Sequence, residues 1–172
     1  MAEQAQVPCM DRPTPQLLSI RKAQPDDVIQ LLRIQIDALR TLCIQDYTPE
    51  QIEALIERNI RYASRGGSQG EITLVAEVKG VIVGLAALLG RCVSAVYVHP
   101  QFVRQGIGTH LLAALEQIAT TYQIKTLRVA ASLTAQPFYQ ANDYQVLGES
   151  DLITEKGLQI RYVEMKKALF LA

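Results

Sequence analysis

The stretch Val93-Ser-Ala-Val-Tyr-Val-His-Pro-Gln-Phe-Val-Arg-Gln-Gly-Ile-Gly-Thr-His110 decides the fold of this chain. Its valine-rich first part is typical of a β-strand and stops shortly before Pro100. Apolar residues at helical spacing begin after Gly106 and Gly108. The stretch therefore predicts a strand, a tight glycine turn and a helix.

The turn between this strand and this helix is suited to an anion. The first N–H groups of a helix have no intrahelical partner, and the peptide dipoles place about half a positive charge there. Gly106 and Gly108 let the backbone approach a ligand and take positive φ, and Arg104 adds a permanent charge. The pattern indicates a phosphate site, or else only a sharp connection between strand and helix.

Two common phosphate motifs do not match the turn. A P-loop has a lysine and a serine or threonine after its last glycine, whereas Thr109 and His110 follow Gly108. A dinucleotide fingerprint needs a third small residue, and Leu111 occupies that position. A different phosphate-containing ligand is needed.

Hydrophobic periodicity divides the rest of the chain into strands and helices. Strands are predicted at residues 17–21, 72–78, 81–89, 92–98, 125–130, 144–152 and 158–165, and the sheet is expected to be covered on both faces. Helices are predicted after Pro25, after the capping box that starts at Thr48, after Gly106, and at 134–142. Their expected inward residues are Val28, Leu31, Leu32, Ile36 and Leu39, then Ile52, Leu55, Ile56 and Ile60, then Ile107, Leu111, Leu115, Ile118 and Tyr122.

Composition narrows the class of protein. The chain has 172 residues, with 17 basic and 17 acidic side chains, so neither a nucleic-acid nor a membrane partner is expected. One domain at residues 17–172 is expected after a disordered tail at residues 1–16. Three separated cysteines and the lack of a signal-like segment favour a cytoplasmic protein. Apolar residues near the end suggest a possible homodimer contact through Leu169, Phe170 and Leu171.

Two motifs carry a resemblance to a known family. The segment from Val96 to Gly108 resembles the coenzyme A pyrophosphate loop of the GNAT superfamily of N-acetyltransferases, except that Val103 stands where the family has glutamine or arginine. The segment from Ser132 to Tyr139 resembles the family's Asn, two residues, Ala, two residues, Phe-Tyr, with serine in place of asparagine. Asp143 is a further departure, at a usual glycine. The resemblance covers roughly residues 17–167.

The resemblance implies a fold and a binding site. The fold is α/β (α+β), with a central mixed, mostly antiparallel twisted sheet of about seven strands and helices on both faces. The strands at 92–98 and 125–130 are expected to splay apart and to hold the pantetheine arm of acetyl-CoA, with the Val98 amide stabilising the oxyanion. The residues expected to bind the coenzyme are Val96, Val98, Arg104, Gln105, Gly106, Ile107, Gly108, Thr109, Ser132 and Phe138.

The same resemblance implies an acetyl-CoA-dependent N-acetyltransferase that needs no metal. The acceptor is expected to be a primary amine of a small molecule or peptide, attacking directly, with Tyr139 as the general acid. The alternative for Tyr139 is packing beside Phe138 with its hydroxyl in water. The first two helices and their linker are expected to form one wall of the acceptor site, although Cys43 and Tyr47 in the linker fit ordinary packing as well.

The sequence does not identify the general base. The start of the central strand has Cys92 and Ser94 where family members often have an acid, and Glu77 fits a solvated strand residue. Glu71 is nearby in the chain, and His99 fits either a base or a residue that packs against the loop. The missing acid and Val103 keep open a second function, a non-catalytic acyl-CoA-binding or sensory module, and a third, an interaction domain.

Overall fold

The structure of the protein is a computed structural model that describes residues 18–170. The tail expected at residues 1–16 lies outside the described residues. The strands are β1 Leu18–Lys22, β2 Ile72–Val78, β3 Val81–Leu89, β4 Cys92–Val98, β5 Thr126–Ser132, β6 Gln145–Ile153 and β7 Gln159–Ala168. The helices are α1 Val28–Leu42, α2 Pro49–Ser64, α3 Ile107–Thr121 and α4 Gln136–Ala141, with 3-10 turns at Pro25–Asp27 and Pro100–Phe102.

The seven strands form one sheet in the order β1-β2-β3-β4-β5-β7-β6. Every neighbouring pair is antiparallel except β4 and β5, which are parallel. This architecture confirms the predicted mixed, mostly antiparallel sheet. The bounds of β2, β3 and β4 are those predicted, whereas β5, β6 and β7 each begin one residue later than predicted. The predicted first residue of β1, residue 17, lies outside the described residues. Strand ends are set by pairing with a neighbour, for which the sequence pattern gives no direct signal.

Helices cover both faces of the sheet, as predicted. Leu74 and Ala86 belong to the core beneath α3, and their immediate neighbours Val75 and Leu85 belong to the core beneath α1. The two sets alternate because successive side chains of a strand point to opposite faces. A strand buried on both sides therefore needs apolar residues at almost every position, which explains the continuous apolar runs of β2 and β3.

The buried face of the helices differs from the prediction at the helix ends. Val28, Ile60 and Tyr122 were expected to point inward, but they are 42%, 43% and 65% exposed. Ile34, which the prediction omitted, is only 2% exposed and packs in the core beneath α1. The three exposed residues lie in or next to a terminal turn, where no second layer covers the apolar side chain.

The central parallel pair holds together over a short distance only. β4 and β5 pair at Cys92 with Arg128 and at Val93 with Val129, and then the two strands diverge. Ser94 is an extra residue in β4, since Ala87 faces Ala95 while Leu88 faces Val93. A bulge of this kind bends the strand and increases its twist. The splay implied by the resemblance is therefore present, and it opens a gap in the middle of the sheet.

Candidate active site

A continuous cleft of about 2110 Å³ passes through the gap between β4 and β5. It exceeds the roughly 300–1,000 Å³ of a typical small-molecule pocket, so it has room for two substrates. On one face of the sheet it reaches the turn before α3, and on the other it runs beneath α1 and α2. The expected site residues along it are Val96, Val98, Arg104, Gly106, Ile107, Gly108, Thr109, Ser132, Phe138 and Tyr139. Gln105 is exposed and does not line the cleft.

The two glycines of the turn serve different purposes. Gly106 has φ +80° at the N-cap of α3, in the left-handed region that favours glycine. Gly108 is inside the helix with ordinary φ, so the expectation that both glycines take positive φ is wrong for this one. A Cβ on Gly108 would lie 3.1 Å from the Phe138 ring, so packing is what favours glycine there. The second left-handed residue of the turn is instead Arg104, with φ 62°.

The N-terminus of α3 offers free backbone donors to the cleft. The first backbone hydrogen bond of α3 runs from the His110 N–H to Gly106 O, at 3.0 Å. The N–H groups of Ile107, Gly108 and Thr109 precede that bond, and Gly106 has no side chain to cap them. These three amides and the positive end of the helix dipole therefore face the cleft together.

The β4 edge of the gap presents backbone groups as well. The His99 N–H donates to Val83 O of β3 at 2.8 Å. Since backbone groups alternate in direction along a strand, Val98 and Val96 direct theirs away from β3 and toward the gap. Beyond Val93 no β5 residue pairs with them. The two valines thus offer N–H and C=O groups to an extended ligand.

Tyr139 occupies the wall of the cleft on α4. Its side chain is 4% exposed, and its ring makes edge contacts with Phe138 and Tyr144 at centroid distances of 5.0 and 5.3 Å. The ring thus packs beside Phe138, as the alternative predicted, but the side chain is buried rather than in water. Burial, and to a smaller extent the nearby Tyr97, raises the pKa of Tyr139 well above its ordinary value. The phenol therefore keeps its proton at neutral pH.

Hydrogen bonds fix the segment that carries Tyr139. Ser132 Oγ accepts the Ala135 N–H at 3.1 Å, which shapes the turn into α4. Tyr47, in the α1–α2 linker, accepts the Leu133 N–H at 2.9 Å and donates to Arg161 O at 2.7 Å. Tyr47 and Cys43 are buried, as ordinary packing predicted, and they also line the cleft. Burial raises the pKa of both side chains.

Asp143 and Val103 are two of the residues that depart from the family pattern. Asp143, at the usual glycine, has φ 67°, so the chain keeps the left-handed backbone there. Aspartate tolerates this region better than most residues. Val103 lines the cleft next to the exposed Arg104. Neither departure removes a backbone amide of the α3 N-terminus.

Both histidines make contacts within the loop that precedes α3. His99 Nδ1 accepts the Gln101 N–H at 3.3 Å, and the ring lies edge-on to Phe102, so it packs against the loop. His110 is exposed, and its Nδ1 lies 2.8 Å from Gly106 O. Among residues 18–170, neither histidine lines the cleft.

Two acidic side chains make contacts that the sequence pattern did not predict. Glu77 is not a solvated strand residue as predicted, because it pairs with Arg21 at 2.7 Å and is 19% exposed. Glu71 lines the cleft, and its Oε1 accepts a hydrogen bond from Ser94 Oγ at 2.6 Å. The two residues are 23 positions apart, so no local motif links them.

The described residues were compared with the requirements of a membrane-spanning helix and of a metal site. Between Leu18 and Phe170, no helix combines the length and apolar character needed to cross a membrane. Within the same residues, no group of three or more His, Cys, Asp or Glu side chains is arranged to hold a metal ion.

Comparison with known proteins agrees with this geometry. The sequence profile described as Acetyltransferase (GNAT) domain matches residues 43–169. The uncharacterized N-acetyltransferase YafP of Escherichia coli (strain K12) is 28% identical over 130 residues, which are 76% of this chain and 83% of YafP.

Solved structures show the same fold. A GCN5-related N-acetyltransferase from Rhodopseudomonas palustris, titled Aminotransferase, Class-II, has a TM-score of 0.82 and 29% identity, covering 89% of this chain and 96% of its own. YncA from Salmonella typhimurium, solved with its cofactor acetyl-CoA, has a TM-score of 0.63 and 21% identity, covering 90% of this chain and 95% of its own. With a profile match over residues 43–169 and these structural likenesses, the chain belongs to the GNAT acetyltransferase family.

Proposed function

We propose that this protein transfers the acetyl group of acetyl-CoA to a primary amine of a small molecule or a peptide. The observation that carries the proposal is the gap between β4 and β5, which joins the free amides before α3 to a cleft beneath α1 and α2. Membership of the GNAT family supports acetyl transfer in general. YncA, which has the same fold, was solved with acetyl-CoA.

Each part of acetyl-CoA has a matching part of the cleft. The pyrophosphate would be held by the N–H groups of Ile107, Gly108 and Thr109, with the Arg104 guanidinium close by in sequence. The pantetheine arm is an extended chain with two amides, and it would bond to the backbone groups of Val96 and Val98 in the gap. Ser132 and Phe138 also line the cleft and would contact the coenzyme there.

The reaction makes three demands on the protein. The amine must be neutral, although one like that of lysine is neutral in fewer than about one molecule in a thousand at pH 7. The carbonyl oxygen must be stabilised as it gains charge, which the Val98 N–H would do. The leaving thiolate must receive a proton.

Tyr139 would supply that last proton. As the nitrogen–carbon bond forms and the carbon–sulfur bond breaks, the Tyr139 hydroxyl gives its proton to the sulfur. The resulting phenolate takes the surplus proton from the new amide nitrogen, which regenerates the enzyme. With ordinary pKa values the transfer to sulfur is uphill by about 2 kcal/mol. Burial raises the pKa of Tyr139, and the same surroundings also disfavour a thiolate, so the proton transfer stays accessible within the concerted step.

A thermal melt and a turnover assay test the proposal together. Acetyl-CoA is expected to raise the melting midpoint in a concentration-dependent way, and free CoA thiol is expected to appear with at least one member of a broad amine panel. Stabilisation by acetyl-CoA with no thiol release would instead support a non-catalytic acyl-CoA-binding module. A flat melting response would contradict acetyl-CoA binding altogether and favour an interaction domain.

A further inference from the structure

One carboxylate is fixed at the point where the sheet opens. Glu71 directly precedes β2, and its Oε1 accepts a hydrogen bond from Ser94 Oγ at 2.6 Å. Ser94 is the bulge residue of β4 and comes immediately after Val93, where the pairing of β4 with β5 ends. Glu71 is therefore held at the edge of the gap through which the cleft passes.

The carboxylate lies on the face that an acceptor would use. Val75 of β2 packs beneath α1. Thr73 and, just before the strand, Glu71 precede it at two-residue intervals, so the three lie on the same face. The turn before α3, proposed to hold the pyrophosphate, is on the opposite face with α3 itself. A coenzyme whose arm enters the gap from the α3 side leaves the Glu71 side free for an amine.

No basic side chain neutralises this carboxylate. Among residues 18–170, Glu71 forms no ion pair with lysine or arginine, whereas Glu77 pairs with Arg21 at 2.7 Å and Glu155 pairs with Arg61 at 3.1 Å. Glu164, the remaining acid that lines the cleft, accepts a hydrogen bond from Ser150 of the adjacent strand at 3.1 Å.

The position of Glu71 is also well defined. Its N–H donates to Ser68 O at 3.1 Å, and the Ser94 hydroxyl occupies Oε1. Oε2 approaches Gly67, lying 3.6 Å from where a Cβ would be, and Tyr62 flanks the same glycine. Burial and, more weakly, the adjacent Glu71 carboxylate raise the pKa of Tyr62, so this phenol keeps its proton beside Glu71. A preorganised, uncompensated carboxylate suits a cationic ligand such as an ammonium group.

We propose that Glu71 binds the ammonium group of the acceptor and removes its proton, with Ser94 positioning the carboxylate. This role rests on the proposed acetyl transfer. The carboxylate takes one proton from R–NH₃⁺ through bound water, because Ser94 is four strand residues, roughly 13 Å, from the Val98 N–H proposed to hold the thioester carbonyl. The neutral amine then attacks that carbonyl. The carbon–sulfur bond breaks, and Tyr139 protonates the sulfur. Glu71 later returns its proton to water, so one proton is released per acetyl group transferred.

The test compares glutamine substitutions at three carboxylates, two of which line the cleft. Glu71→Gln keeps the shape and the hydrogen bond from Ser94 but removes the charge. Glu164→Gln represents the competing assignment. Glu57→Gln is the control, since that side chain is 53% exposed, pairs with Lys156 at 3.5 Å and does not line the cleft. Each variant is assayed for CoA release with the best amine found for the wild type, and its melting midpoint is measured with and without acetyl-CoA.

Glu71→Gln is expected to lower kcat/KM about a hundredfold or more at pH 7 while leaving stabilisation by acetyl-CoA unchanged. The deficit should shrink at pH 10, because a lysine-like amine is then roughly one-quarter neutral without a base. Glu71→Asp should recover part of the activity, and Ser94→Ala should lose a smaller part. Other charged or titratable side chains that line the same cleft include Tyr62, Arg65, Cys92 and Arg128.

Two results would overturn the assignment. If Glu71→Gln is within about threefold of the wild type at pH 7, or if only Glu164→Gln loses activity, acetyl transfer stands and Glu71 is not the base. If the wild type releases no CoA with any amine, the proposed function fails and the role of Glu71 fails with it. Should Glu71→Gln melt before the assay temperature, it and the wild type are both assayed below its melting midpoint. A rate within about threefold of the wild type there would again exclude Glu71.

Discussion

A Cβ on Gly108 would lie 3.1 Å from Cε2 of the Phe138 ring, closer than side chains normally approach each other. Gly108 belongs to the first turn of α3, and Phe138 belongs to α4, which also carries Tyr139. The absence of a side chain at this position therefore sets how closely the proposed pyrophosphate site approaches the proposed general acid. A substitution there is expected to affect both.

Gly108→Ala is expected to lower stability by about 1 kcal/mol, since overpacking outweighs the better helix propensity of alanine. The displaced Phe138 ring should also weaken the stabilisation by acetyl-CoA. Urea unfolding and acetyl-CoA melts measure the two effects. Gly148→Ala is the control, because its Cβ would meet nothing within 4 Å. A Gly108→Ala variant more stable than the wild type would contradict the packing argument.

Tyr139→Phe is expected to lower kcat by about a hundredfold or more, because the leaving thiolate loses its proton donor. KM for the amine and stabilisation by acetyl-CoA should change little. Steady-state kinetics of CoA release gives both constants. An unchanged kcat would remove Tyr139 from the mechanism.

Tyr144→Phe serves as the matched control and makes a prediction of its own. Among residues 18–170 the buried Tyr144 hydroxyl has no hydrogen-bond partner of good geometry, and its ring contacts that of Tyr139 at 5.3 Å. Burial and, next, the nearby Glu116 raise the pKa of Tyr144. Removing an unsatisfied buried hydroxyl is expected to leave kcat near the wild-type value and to raise stability by about 1 kcal/mol. Chemical denaturation measures the latter, and a loss of stability would show that the hydroxyl has a partner in solution.

Tyr47→Phe is expected to destabilise the protein by about 2 kcal/mol. It leaves the Leu133 N–H and Arg161 O without the hydroxyl that now bonds to both. Urea unfolding tests this against Tyr122→Phe, whose side chain is 65% exposed and which should be neutral. Equal behaviour of the two variants would mean that water replaces the Tyr47 hydroxyl without loss.

The ion pair between Arg21 and Asp27 predicts that part of the folding stability is lost at low pH. Hydrogen bonds from the Arg21 guanidinium, then from the Gln24 N–H, hold the pKa of Asp27 below its ordinary value. A carboxylate with a lowered pKa stabilises the folded state above the unfolded pKa of about 3.9, and this contribution disappears as the pH falls through the folded value.

Asp27→Asn should accordingly be less stable than the wild type near neutral pH, with the difference closing below about pH 4. Unfolding curves from pH 7 to pH 2.5 measure this, with Asp26→Asn, an exposed neighbour, as the control. A difference that does not change with pH would argue for a structural effect of the amide.

Local chemistry allowed much of the fold to be predicted. The strand bounds of β2, β3 and β4 follow from apolar runs interrupted by Lys79 and Gly80, which both take positive φ in the hairpin turn. The tight turn before α3 follows from Gly106, and the capping box at Thr48 forms in both directions with Gln51. The buried residues of the helices were predicted less well. Val28 and Tyr122 fit the apolar stripe of a helix, but no neighbouring layer of the fold covers them.

The sequence by itself therefore determined the elements, their order and the glycine turn before α3, since periodicity, glycine and proline act over a few residues. The tertiary structure alone decided which distant side chains meet. Ser94 reaches Glu71 across 23 positions at a bulge in β4, and Arg21 reaches Glu77 across 56 positions because β1 pairs with β2. Such contacts depend on strand register and on the place where β4 and β5 separate, and both are set by packing of the whole sheet rather than by any local pattern.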